Sequence, residues 1–157
     1  MKKIALITGI TGSGGSYLAE YIIKKNKNIK VFGLYRSLGN LNILKKHCNK
    51  KIFFFKVDLC NYLKLKNIIK KIKPDVIFHI ASNADVRRSF DYPIECTHNN
   101  NTITSNLLES LRQLKLNPII LICSTSEVYG AVKKKDIPIK EEQRFSPGSC
   151  IGRSRIN

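Results

Sequence analysis

The segment Gly9-Ile10-Thr11-Gly12-Ser13-Gly14-Gly15 constrains this chain more than any other stretch. It follows a short apolar run over residues 4–8. It precedes residues 17–25, where Leu18, Tyr21 and Ile22 recur at helical spacing. That order specifies a buried strand, a tight turn and a helix. The glycines fit a Gly-x-x-Gly-x-x-Gly frame. Gly9 permits the turn, Gly12 lets backbone approach a pyrophosphate, and Gly15 allows the helix to pack close on the strand. The free N–H groups at the helix start and the positive end of its dipole complete an anion site. Gly9, Thr11, Gly12 and Gly15 are therefore candidate cofactor-binding residues.

The remainder repeats the strand–helix alternation. Apolar runs at 31–35, 52–57, 76–81 and 119–123 read as strands. Between them lie a short helix at 41–47, an amphipathic helix carrying Leu63, Leu65, Ile68, Ile69 and Ile72 that stops before Pro74, and a helix at 101–114 carrying Ile103, Leu107, Leu108 and Leu111. The last dozen residues carry no periodic signal. Near-continuous apolar strands separated by helices belong to a parallel sheet covered on both faces. The expected fold is thus α/β, a doubly wound parallel sheet of the Rossmann type.

Length and composition narrow the class. The 157 residues suit one domain, and 43% hydrophobic residues suffice for a core. No run approaches the roughly 18 apolar residues of a membrane span. The basic start and apolar run resemble a signal peptide, but Thr8, Gly9 and Thr11 interrupt the run and an Ala-x-Ala cleavage site is absent, so a cytoplasmic location is expected. The five cysteines, Cys48, Cys60, Cys96, Cys123 and Cys150, lack paired spacing and read as reduced thiols rather than disulfide or zinc partners. A net charge of +17 invites a nucleic-acid reading, but the lysines are dispersed as pairs and triplets on solvated faces. The charge favours anionic small ligands instead.

The strand ends define the rest of the nucleotide site. A carboxylate after the second strand would accept hydrogen bonds from a ribose 2′-hydroxyl. No Asp or Glu lies between Lys24 and Lys56, and Arg36 and Ser37 occupy that place. A guanidinium pairs well with a phosphate, so NADP is favoured over NAD. Asp58 and Leu59 end the third strand. Asp58 suits either an adenine amino group or the cap of the helix near Asn61. Ala81, Ser82 and Asn83 end the fourth strand, where backbone would line the cofactor.

Four stretches, 5–20, 33–37, 78–83 and 124–130, together resemble the extended short-chain dehydrogenase/reductase family (the NAD-dependent epimerases and dehydratases), and within it the GDP-mannose 4,6-dehydratases. The resemblance implies bound NADP and a nucleotide-sugar substrate, GDP-mannose. It implies a reaction in which hydride leaves C4 for the nicotinamide, a base removes the acidified C5 proton, water departs from C6 and hydride returns there. By resemblance Glu127 is the acid/base, Thr125 the hydroxyl on the C4 oxygen, and Arg155 stands at the cofactor-ribose position. Pairing into a homo-oligomer is implied too.

The likeness breaks in one place. The family's Tyr-x-x-x-Lys pair, whose Tyr is the oxidising base, is replaced by Ile151 and Arg155. Isoleucine cannot take a proton. The expectation is a C-terminally truncated cofactor-binding domain over residues 1–157, without a sugar-nucleotide-binding lobe and inactive alone. The alternatives are a non-catalytic NADP-binding remnant, an epimerase of the same family, and a basic nucleic-acid-associated protein.

Overall fold

The computed structural model describes residues 2–48 and 51–156; Met1 and Asn157, which bound the expected domain, lie outside the described residues. Five strands, β1 (Lys3–Thr8), β2 (Ile29–Tyr35), β3 (Ile52–Lys56), β4 (Val76–His79) and β5 (Ile119–Ile122), form one parallel sheet in the order β3-β2-β1-β4-β5. The chain runs outward from β1 to β3 and then returns to the other side of β1. The strand order therefore reverses between β1 and β4, and the crevice at their carboxyl ends is where such sheets take ligands.

Helices α1 (Ser13–Lys25), α2 (Leu41–Cys48), α3 (Tyr62–Ile72), α4 (Val86–Asp91), α5 (Pro93–Gln113) and α6 (Cys150–Arg153) complete the described elements, with two 3₁₀ turns at Ser126–Val128 and Lys134–Asp136. The chain divides into two compact units, Met1–Ala81 with Ile103–Cys123, and Ser82–Thr102 with Ser124–Asn157.

The first unit holds the sheet. Alternate strand residues point to opposite faces. Leu6, Leu34 and Ile77 pack with Leu65 and Ile69 of α3 and Leu107 of α5. On the other face Ile7, Val31 and Ile52 pack with Ala19 of α1 and Leu44 of α2. Both faces are covered, as the continuous apolar strands require. At the edge strand β5, however, Ile119, Leu121 and Ile122 stay exposed.

Several boundaries differ from the sequence expectations. Helix α1 begins at Ser13 rather than at residue 17, so the last two glycines of the loop are helical. Strand β4 ends at His79, because the Ala81 N–H bonds the Thr8 hydroxyl instead of continuing the ladder. Helix α5 begins at Pro93, not at residue 101. Its first turns bury Cys96 and Asn100, which leave no apolar stripe. Helices α4 and α6 are four to six residues long, too short to show a period. Asp85 caps α4 by accepting from the Arg88 N–H, and Ser149 caps α6 by accepting from the Gly152 N–H.

Candidate nucleotide and acid/base sites

In the first unit, Gly9 has φ +69°, a conformation that side-chain-bearing residues rarely adopt. A Cβ on it would lie 2.8 Å from the Ala81 Cα, so the backbones of the β1 and β4 ends nearly touch at the reversal point. The loop is tied down by hydrogen bonds from the Gly9 and Ile10 N–H groups to the Leu34 carbonyl, at 3.0 and 3.2 Å. A Cβ on Gly15 would press on the Gly9 carbonyl oxygen and come within 2.8 Å of the Ile10 Cα. Gly15 thus sits where α1 approaches the end of β1 closely.

Gly12 is the N-cap residue of α1, with no side-chain cap and no acid in the first turn. Gly12, Ser13 and Gly14 are exposed. The start of this 13-residue helix thus has neither a capping side chain nor an acidic residue to offset its dipole, a setting that suits an anion.

Arg36, one residue beyond β2, is exposed. Its neighbour Ser37 offers its carbonyl to the buried Thr11 hydroxyl at 3.0 Å. The exposed Asp58 side chain accepts from the Cys60 N–H at 2.9 Å. The helix-cap role considered for Asp58 belongs to Asn61, which accepts from the Lys64 N–H and sits at the start of α3. Asp58 bonds its own turn instead, because an Asp two residues before a free N–H closes an Asx turn. Burial, followed by the nearby Asp58 carboxylate, pushes the Cys60 thiol pKa up, while Arg36 opposes the shift. Arg36 and Asp58 thus both lie near Cys60, just beyond the ends of the neighbouring strands β2 and β3. Leu59 is core, and its carbonyl accepts from the Asn106 amide at 2.9 Å.

A buried polar chain lies beneath the loop and carries no signal in the apolar pattern. The Thr8 oxygen accepts from the Ala81 N–H at 3.2 Å, and the same hydroxyl lies 2.9 Å from His79 Nδ1. His79 Nε2 lies 3.1 Å from the Thr104 hydroxyl. Thr8 and His79 are fully buried. The chain ties β1, β4 and α5 together and holds the Ala81 backbone against Gly9.

In the second unit, Asn100 is fully buried and clasps Asn83. Its Oδ1 accepts from the Asn83 N–H at 2.7 Å, and its Nδ2 donates to the Asn83 carbonyl and to Ser154 Oγ, each at 3.2 Å. Ser82 beside it is exposed. Thr125 caps the turn Ser126–Val128 by accepting from the Glu127 N–H at 3.3 Å, which leaves its own hydrogen to donate. Thr125 and Glu127 are both half-buried. A Cβ on Gly152 would lie 2.5 Å from the Glu127 carbonyl oxygen, so α6 rests backbone to backbone on this turn. Ile151 is buried, and Arg155 is half-buried near Cys96.

Among the described residues no cluster of three His, Cys, Asp or Glu side chains could hold a metal ion, and no helix is long and apolar enough to cross a membrane. Among the described residues Cys60, Cys96, Cys123 and Cys150 form no disulfide.

The sequence and the fold match known proteins. The chain is 39% identical over 131 residues to a dTDP-D-glucose 4,6-dehydratase of Dictyostelium discoideum, covering 80% of this chain and 30% of that protein. It is 34% identical over 159 residues to a GDP-mannose 4,6-dehydratase of Vibrio cholerae, covering 95% and 42%. The chain therefore spans less than half the length of these curated relatives. The solved UDP-glucose 4-epimerase of Bifidobacterium longum, in complex with NAD+ and UDP, superposes with a TM-score of 0.86 at 23% identity, over 98% of this chain and 46% of that one, a likeness of fold. The model of the GDP-mannose 4,6 dehydratase family matches residues 6–156. With nearly its whole length matched, the chain belongs to the GDP-mannose 4,6 dehydratase family, within the extended short-chain dehydrogenase/reductases.

Proposed function

We propose that this chain is the cofactor-binding half of an NADP-dependent GDP-mannose 4,6-dehydratase, and that alone it binds NADP without turning over nucleotide sugar. The carrying observation is the bare N-terminus of α1 behind a glycine loop at the strand-order reversal, with an exposed guanidinium at the end of β2. These groups fit a dinucleotide carrying one further phosphate. The backbone N–H groups after Gly12 take the pyrophosphate, and Arg36 with Ser37 takes the 2′-phosphate. Asp58 accepts from the adenine amino group, and the Ala81 and Ser82 backbone lines the nicotinamide side. The Bifidobacterium longum epimerase binds NAD+. The absence of any carboxylate between Lys24 and Lys56 favours the 2′-phosphate in this chain.

Bound NADP supplies reversible hydride acceptance at the sugar. Thr125 donates to the C4 oxygen, and Glu127 removes the C5 proton and returns a proton to the departing 6-hydroxyl. Glu127 favours dehydration over C4 epimerisation, which needs no second acid/base. Ile151 cannot deprotonate the C4 hydroxyl, so the first step fails in this chain. Arg155 donates hydrogen bonds to the hydroxyls of the nicotinamide ribose.

Incubating the purified chain with GDP-mannose and NADP tests the reading: no 4-keto sugar forms. Product would overturn the role given to Ile151. Arg36→Ala weakens NADP binding by about tenfold, as losing one charge-assisted pair does, and weakens NAD binding far less. Equal weakening of both would sink the 2′-phosphate assignment.

A further inference from the structure

The segment after Arg36 is joined to the glycine loop by contacts that the nucleotide-binding motif does not require. The buried Thr11 hydroxyl donates to the Ser37 carbonyl at 3.0 Å. The Asn40 N–H donates to the Thr11 carbonyl at 2.9 Å. The Asn40 amide donates to Ser16 Oγ at 3.3 Å, and that hydroxyl in turn donates to the Ser13 carbonyl at 2.9 Å. Between them Gly39, at φ +39°, sits so close that a Cβ would lie 2.6 Å from the Thr11 carbonyl oxygen. The backbone that carries Arg36 is therefore fixed to the first turn of α1.

We propose that Thr11, Gly39 and Asn40 form a positioning arm that sets the reach from the pyrophosphate cradle to the Arg36 guanidinium, and so determines discrimination between NADP and NAD. This rests on the reading of Arg36 as the 2′-phosphate partner. The physical reason is preorganisation. An exposed arginine on a free loop must be ordered by its ligand, whereas a backbone already held at a fixed distance leaves only the side chain to order. NAD uses the cradle but not the guanidinium. NADP uses the cradle and the guanidinium together, so loosening the arm costs NADP more than NAD. In this account the Thr11 hydroxyl acts through Ser37 rather than on the cofactor.

The test is calorimetric titration of the full 157-residue chain with NADP and with NAD, read as the ratio of the two dissociation constants. Gly39→Ala forces the segment off the Thr11 carbonyl. Asn40→Ala removes the amide, and Thr11→Val removes the hydroxyl at nearly constant shape. Each lowers the NADP preference by about three- to tenfold, the range one net hydrogen bond spans. Thr11→Ser keeps the hydroxyl and retains the preference. If Gly39→Ala does not fold, Asn40→Ala and Thr11→Val decide. The proposal is overturned if Arg36→Ala abolishes the preference while folded arm variants keep it, because the 2′-phosphate reading then stands and the arm is irrelevant. It is also overturned if Thr11→Ser loses the preference as fully as Thr11→Val. A wild-type chain that binds both dinucleotides equally overturns the arm and the 2′-phosphate reading together.

Discussion

Adjacent glycines in the loop should respond oppositely to the same methyl group. At Gly15 the three atoms nearest a new Cβ are all backbone: the Gly9 carbonyl oxygen and carbon, and the Ile10 Cα at 2.8 Å. Ordinary contact starts near 3.4 Å, so the overlap with the Ile10 Cα alone is 0.6 Å (3.4 minus 2.8). That backbone cannot retreat, because the Gly9 and Ile10 N–H groups are both bonded to Leu34. Helix α1 must move outward instead. Overpacking of this kind costs up to about 3 kcal/mol, offset by about 1 kcal/mol from replacing a helical glycine, a net loss of about 2 kcal/mol. At Gly14 the new Cβ meets only the Ile80 Cγ2, at 3.7 Å, so Gly14→Ala gains about 0.5–1 kcal/mol of helix propensity. Urea unfolding followed by far-ultraviolet circular dichroism should separate the two variants by about 3 kcal/mol, with Gly15→Ala the less stable. Equal midpoints, or a stabilised Gly15→Ala, would refute the close packing of α1 on β1.

Thr8→Val removes the hydroxyl shared by Ala81 and His79. One buried and one part-buried hydrogen bond disappear, so urea unfolding should show a loss of about 2–3 kcal/mol. Asn100→Asp keeps shape but sets a carboxylate against the Asn83 carbonyl in a fully buried place, and the melting temperature of the variant should fall at pH 8 and recover in part at pH 5, where the carboxyl is protonated. The Cys96 thiol is pushed up to about 11 from 9.0, first by burial and then by Cys150. Its folded pKa lies above the unfolded one, so its stabilising contribution is whole below about pH 9 and is lost as pH rises from 9 to 11. In the native chain at pH 8, peptide mapping after iodoacetamide treatment should show Cys96 alkylated more slowly than the exposed Cys60.

The sheet and its helices were legible because burial on two faces imposes a continuous apolar signal on β1 to β4 and a 3.6-residue stripe on α3. The glycine loop was legible because its contacts leave no space for a Cβ, a restriction that only one residue type satisfies. Polar burial left no such trace. His79 reads as one interruption of an apolar run, and Asn100 lies within the run Asn99-Asn100-Asn101, where nothing marks which amide points inward. The start of α5 was hidden for the same reason: Cys96 and Asn100 bury themselves by hydrogen bonding. Asp58 and Asn61 are both acceptable caps by type, and only the geometry of the turn chooses Asn61. The bond from Asn40 to Thr11 left no trace in the sequence, because the two residues lie far apart along the chain. Ile151 broke the family pattern, and its burial explains why an apolar residue is stable there.

The central claim is that this chain binds NADP through the α1 N-terminus and Arg36. Calorimetric titration of the purified chain with NADP and NAD at equal ionic strength tests it directly. One site per chain is expected, with NADP bound at least several-fold more tightly and its preference shrinking as salt rises, because an exposed guanidinium reads the extra phosphate. Heats indistinguishable from dilution for both dinucleotides, or tighter binding of NAD, would contradict it.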